Sequence, residues 1–258
     1  MRITWLGTGG FLLEDAGFPI ALDPFLALPH PEAGGPAREK FRTAQAVFLT
    51  HGHLDHILDV PGLYRDSCAR IYTTPAPAGY LLSAGIPKER VHLIRPGDTV
   101  SEGPFEIDAY ASRHCAFDAG LVLQTACRPA FFAHPRRAFR ILKLHRSLPE
   151  AGETLFYQIR CGKTRIAAMG SLNLRDDVAY PTGADALLLP FQGRSRINEY
   201  AMPFVGRLKP QRVILHHWDD TFPPLSGRIE TGEFCSAVRQ RFSIRCEAAG
   251  FNRPVDIG

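Results

Sequence analysis

The sequence predicts an α/β fold in which two β-sheets pack face to face with helices on the outside. Two observations lead there. Short apolar runs separated by Gly- and Pro-marked turns recur along the chain. Each half opens with β-rich meanders and brings in helices late, so two similar sheets follow rather than one. A third observation concerns function: several strands empty into loops carrying His or Asp.

The 258 residues contain no Gly/Ser tract, charge block or long repeat, so one domain is expected over residues 1–258. The net charge of +4 and pI near 8.8 permit an anionic substrate without calling for nucleic acid. The six cysteines form no CxxC pair and read as free thiols in a reducing compartment. The chain enters a strand at once, and no stretch is long enough to span a bilayer. The expectation is a cytoplasmic protein with no signal peptide.

Arg2–Leu6 and Phe11–Glu14 read as paired strands around Gly7-Thr8-Gly9-Gly10. That turn is not a dinucleotide fingerprint, because Leu12 stands where GxGxxG needs its third glycine. Phe18–Asp23 is a third strand, and the Asp at its end suits the orientation of a ligand histidine. Residues 28–44 read as a Pro/Gly-rich loop containing His30, a solvated residue. Ala46–Thr50 is a buried strand. Residues 57–64 read as short helical or irregular structure, 71–74 as a strand, 75–84 as a helix and 91–94 as a strand in which His92 is structural.

Thr99–Ser112 is a hairpin delivering His114, and 120–125 a further strand. Residues 154–161 and 164–169 form a second hairpin; its Gly162-Lys163-Thr164 is not a P-loop, since Tyr157 occupies the required upstream glycine position. Asp185–Pro190 is a buried strand, 197–208 a helix, 212–215 a strand running into His216-His217-Trp218, 227–242 a helix and 244–248 a last strand.

Residues 128–146 carry Arg128, Arg136, Arg137, Arg140, Lys143 and Arg146 with no acid among them, interleaved with Phe131, Phe132, Phe139, Ile141, Leu142 and Leu144. Two readings compete: a lid or wall over the functional site, or a helix with a solvated basic face. Contact with a membrane surface is a third.

The chemistry concentrates in His51-Gly52-His53-Leu54-Asp55-His56, directly after the buried strand. Three imidazoles and a carboxylate within six residues are donors suited to Zn²⁺, Fe²⁺ or Mn²⁺, and no Cys lies in the loop to suggest a structural zinc site. No GxSxG nucleophile motif occurs.

This run matches HxHxDH in full and resembles the hallmark of the metallo-β-lactamase superfamily. The order of the Asp23-Pro24, His114 and His217-Trp218 features extends the resemblance over the whole chain. The branch containing ascorbate-phosphate lactonase and N-acyl phosphatidylethanolamine phospholipase D is the most similar. The resemblance implies a four-layer αββα sandwich and a metal-dependent hydrolase with one or two zinc ions. It implies that His51, His53 and His114 hold one metal, and that Asp55, His56 and His217 hold the second. His217 is preferred to His216 because it directly precedes Trp218.

Asp55 and His217 also receive catalytic roles, Asp55 by orienting the nucleophile. That nucleophile would be a water whose pKa falls to about 7 on the metal. The expected substrate is a small or lipid-like ester, lactone or phosphodiester.

One position departs. The resemblance implies a bridging Asp after Gly170, and this chain has Ser171. A neutral hydroxyl there leaves the second metal more weakly held, unless Asp176 or Asp177 substitutes. The rival readings are a di-iron redox site, a non-catalytic metal-binding or ligand-sensing module, and nucleic-acid processing. The residues leave substrate and oligomeric state open.

Overall fold

Side-chain alternation along the strands decides the layers. A computed structural model of the chain describes residues 1–26, 35–148, 152–223 and 225–258. Strands β1 (Arg2–Trp5), β2 (Phe11–Asp15) and β3 (Phe18–Leu22) form an antiparallel meander, which β4 (Ala46–Phe48), β5 (Arg70–Thr73) and β6 (Val91–Leu93) extend in parallel. The second half repeats the plan. Strands β7 (Thr99–Glu102), β8 (Phe105–Ser112), β9 (Thr154–Cys161) and β10 (Thr164–Met169) are antiparallel. Strands β11 (Ala186–Pro190), β12 (Arg212–His216) and β13 (Arg245–Ala248) follow in parallel. A short β14 (Pro254–Asp256), which the sequence reading did not anticipate, returns to pair with β1. Among the described residues this gives two seven-stranded sheets, ordered β14-β1-β2-β3-β4-β5-β6 and β13-β12-β11-β10-β9-β8-β7.

Successive side chains on a strand point to opposite faces. On β4, Ala46 and Phe48 enter the core between the sheets, whereas Val47 enters the core on the outer side of the first sheet. On β11, Ala186 and Leu188 point between the sheets, and Leu187 and Leu189 point outward. Strands buried on both faces need cover on both, which explains why their runs are continuously apolar. Helices α1 (Gly35–Phe41), α2 (Leu54–Ile57), α3 (Val60–Ser67) and α4 (Pro75–Ser83) belong to the first half, and Phe41, Ile57, Leu63 and Leu81 lie in its outer core.

Three helices, α5 (Ala119–Ala126), α6 (Pro129–Ala133) and α7 (Pro135–Ser147), lie between β8 and β9 in the chain. Helices α8 (Ile197–Leu208) and α9 (Gly232–Phe242) cover the second sheet through Ala201, Val205, Phe234 and Val238. The result is the expected αββα sandwich. Among the described residues no helix is long and apolar enough to cross a membrane.

Four local readings change. Residues 120–125 are helix α5 rather than a strand. Asp118 accepts a hydrogen bond from the Leu121 backbone N–H at 2.7 Å, capping the helix, and none of α5's residues is buried. A short apolar run reads alike as an exposed helix or a buried strand. The segment 28–44 contains α1, stabilised by burial of Ala37 and Phe41; His30 lies outside the described residues. Helices α2 and α3 divide 54–67 in place of one short stretch, and α9 starts at Gly232 rather than at residue 227.

Leu188 is almost wholly buried between the sheets, so Leu188→Ala leaves a cavity. Urea unfolding is expected to show a loss of about 2–5 kcal/mol. Leu123→Ala, on the exposed α5, is expected to change stability by no more than about 0.5 kcal/mol.

Candidate metal centre

The chemistry-bearing residues follow the carboxyl ends of strands, as ligand sites do in open α/β sheets. Asp23 follows β3, His51–His56 follow β4, His114 follows β8, Ser171 follows β10 and His217 follows β12. The fold gathers them into two triplets. The ligand atoms of His51, His53 and His114 lie within 4.8 Å of one another, and so do those of Asp55, His56 and His217. The rings of His51 and His56, with centroids 4.0 Å apart, join the triplets. All six sequence-predicted His and Asp residues are therefore in one place.

The rings are held from behind. Asp23 Oδ1 accepts the Thr50 backbone N–H at 2.8 Å, and its Oδ2 accepts the Thr50 hydroxyl at 2.6 Å. An ionised carboxylate only accepts, so the hydroxyl donates to Asp23. The Thr50 oxygen, 2.9 Å from His51 Nδ1, is then left to accept from that nitrogen. His51 is thereby the Nδ1–H tautomer with the Nε2 lone pair available. Asp23 Oδ2 also lies 2.9 Å from His56 Nδ1, which directs His56 Nε2 toward Asp55 Oδ2 at 3.8 Å. His217 Nδ1 meets the Gln192 side-chain oxygen, and His217 Nε2 lies 3.1 Å from Asp55 Oδ2. Three imidazoles thus have Nδ1 engaged and Nε2 turned inward, the arrangement that outer partners impose on metal-ligating histidines.

The structure also separates His216 from His217. His216 packs edge-on against Phe11, at 5.1 Å between centroids, with Nδ1 3.3 Å from the Thr8 carbonyl. It serves the core. His217 reaches Asp55 because its backbone turns to φ +63°, a strained conformation for a non-glycine residue. Its N–H donates to the Thr8 carbonyl at 3.0 Å, and Asp219 accepts the Thr8 backbone N–H at 2.8 Å, so the β1–β2 turn supports that conformation. The same turn abuts the site through Gly9, where an added Cβ would come within 3.1 Å of His56 Cε1.

Ser171 is buried, and its hydroxyl accepts the Cys115 backbone N–H at 3.0 Å, tying the end of β10 to the residue after His114. Gly170 admits no side chain: a Cβ there would lie 2.3 Å from Thr50 Cβ and displace the residue that orients His51. Asp176 and Asp177 do not reach the site. They are exposed and pair with Arg207 and Arg175, which removes them as substitutes for a bridging acid.

Five residues around the site escaped the sequence reading: Thr50, Gln192, Thr8, Asp219 and His145 on α7. The His145 ring lies 5.7 Å from that of His53, so α7 lies beside the site, anchored through Ile141 in a cluster with Leu54 and Phe25. Of these only Thr50 had a signal, its position directly before the His run.

The αββα layers and two His/Asp triplets at the strand ends define the class: a sandwich built around a candidate metal centre. A family model described as the beta-lactamase superfamily domain matches residues 12–218, and the chain belongs to that family, within the metallo-β-lactamase superfamily. A UPF0173 metal-dependent hydrolase of Desulforamulus reducens is 26% identical over 230 residues, covering 88% of this chain and 87% of that protein. One from Rhizobium etli is 33% identical over 105 residues, covering 41% of this chain and 44% of that one, so the match spans less than half the relative. The structure of Igni18, a metallo hydrolase from Ignicoccus hospitalis, shares the fold with a TM-score of 0.65 at 18% identity, covering 98% of this chain and 97% of that one.

Burial sets the protonation of the centre. It lowers His53 and His114 from 6.5 to about 4, and with the neighbouring imidazoles pushes His51 well below 6.5. Burial likewise lowers His216. Burial would depress His56 too, but Asp23 and Asp55 outweigh it and raise His56. Burial opposes ionisation of Asp55, yet His56, His217 and His53 hold its carboxyl well below 3.8.

Histidines with lowered folded pKa values take up protons first in the unfolded chain, so stability falls as pH drops below 6.5 and continues to fall toward about 4. His56, raised, contributes the opposite sign but stands against four lowered histidines. The metal-stripped protein is therefore expected to show a falling urea midpoint from pH 6.5 to 4; a flat profile would contradict burial of these imidazoles in neutral form.

Proposed function

We propose that this chain is a metal-dependent hydrolase of an ester, lactone or phosphodiester bond in a small or lipid-like substrate. The observation that carries the reading is the convergence of two triplets whose His51, His56 and His217 present Nε2 inward. His51, His53 and His114 would hold one ion, and Asp55, His56 and His217 would hold a second. Imidazole and carboxylate donors without thiolate fit Zn²⁺, with Mn²⁺ or Fe²⁺ as alternatives. An ion bound there would supply Lewis acidity, lowering the pKa of a water toward neutral.

The chain's own residues supply the rest. Three neutral histidines in the first triplet leave an ion's charge undiminished. Asp55, held ionised by His56, His217 and His53, orients the attacking water through its carboxylate. His217 keeps Nε2 toward the same point, fixed by Gln192 at its other nitrogen. Ser171 brings no charge and already accepts the Cys115 N–H, so the second triplet binds its ion less tightly than a site with a bridging carboxylate.

That commitment of Ser171 also favours a second reading, a metal-binding or sensing module without turnover. Calorimetric titration of stripped protein with Zn²⁺, Mn²⁺ and Fe²⁺ under anaerobic conditions, coupled to ester, lactone and phosphodiester panels, separates the two. Two binding steps are expected. His53→Ala removes the tighter step together with turnover, and Ser171→Asp strengthens the weaker one. Fully loaded protein that turns over no panel member would contradict the hydrolase reading and favour the sensing module.

A further inference from the structure

Helices α5–α7 carry an exposed surface that the metal centre does not use. Among the described residues eight large apolar side chains are exposed; five of them, Val122, Leu123, Phe132, Phe139 and Leu142, fall in these helices, and Phe117 lies just before α5. Phe132 and Phe139 are exposed to 70% and 69%, unusual for phenylalanine. Helix α5 buries none of its residues, and α7 buries only Ala138 and Ile141.

Charge on the same segment has one sign. From Ala119 to Leu148 there is no Asp or Glu, while six Arg and Lys residues occur. Arg136, Phe139, Leu142, Lys143 and Arg146 recur at three- and four-residue intervals, which places them on one stripe of α7, opposite Ile141. Apolar tips and cations therefore project together from the side of α7 turned away from the core. Beside them, Arg128, His134 and Arg137 border an open cavity of about 400 Å³ against Asp220 and Ser226. Asp220 accepts the Ser226 hydroxyl, so the cations of this cavity face a carboxylate that is already engaged.

We infer that the outer face of α5–α7 docks on an anionic lipid bilayer. Phe132, Phe139 and Leu142 enter the boundary between headgroups and acyl chains, and the surrounding Arg and Lys side chains meet the lipid phosphates. A second copy of this chain is a poor occupant, because self-association would bring two acid-free cationic faces together. The bilayer supplies apolar and anionic surface at once, which is the combination the face presents. Docking there sets α7 between the membrane and His53, which His145 approaches from the same helix. Binding does not depend on the hydrolase reading and is measured without turnover.

The test is sedimentation of the full chain with vesicles of phosphatidylcholine alone and of phosphatidylcholine with one-third phosphatidylglycerol, at about 0.1 M salt. Association with the anionic vesicles only is expected, weakening as salt rises. The triple variant Arg136→Gln, Arg140→Gln, Lys143→Gln should weaken it on the order of a hundredfold. Phe139→Ser with Leu142→Ser should weaken it at unchanged net charge. All five positions are exposed, so unchanged circular dichroism and urea midpoints verify folding. The inference is overturned by no association with anionic vesicles, by equal binding to both vesicle types, or by a wild-type dimer that the Phe139/Leu142 variant converts to monomer.

Discussion

The carboxylate of Asp23 is the constraint on which the centre depends. One side chain accepts the backbone N–H and hydroxyl of Thr50 and faces His56 Nδ1. Because an ionised carboxylate can only accept, every proton in the chain behind it has an assigned direction. Thr50 donates to Asp23 and His51 donates to Thr50, so two imidazoles are committed to present Nε2. The buried position of Asp23 makes the arrangement rigid, since an unpaired charge there would be costly. Gly170 completes it from the opposite sheet by leaving room for Thr50.

The sandwich exists to bring such groups together. Each sheet passes from antiparallel to parallel strands, and the carboxyl ends of β3, β4, β8, β10 and β12 meet at one rim. Apolar alternation packs the strands on both faces, so polar side chains collect where strands end. Burial then keeps most of the histidines neutral, while His56 and Asp55 stabilise one another in charged form. Neutral imidazoles and an ionised carboxylate are the states a divalent cation requires of its ligands; His51, His53, His114 and Asp55 are held in them, and His56 would release a proton on binding an ion.

Much of this was legible from the residues. The run His51–His56 is dense enough to suggest a metal loop, and His217 was preferred to His216 through the resemblance to the metallo-β-lactamase superfamily; in the structure His217 Nε2 lies beside Asp55 and His216 packs against Phe11. The two-sheet layout followed from meanders that recur in each half. What escaped depends on distant partners. Thr50 acts through Asp23, 27 positions away, and His217 is steered by Gln192, 25 positions away. The misread segment 120–125 fails for a related reason: its leucines and valine signal burial, and the structure leaves Val122 and Leu123 exposed and Leu121 only half-buried. Periodicity reports what a run resembles, whereas its exposure is decided by what the rest of the fold provides to cover it.

The most direct measurement is a crystal structure of the zinc-loaded protein with anomalous data at the zinc edge. The account predicts that His51, His56 and His217 each coordinate through Nε2, with Nδ1 retained by Thr50, Asp23 and Gln192 respectively. Coordination by any of the three through Nδ1, or by His216 in place of His217, would contradict it.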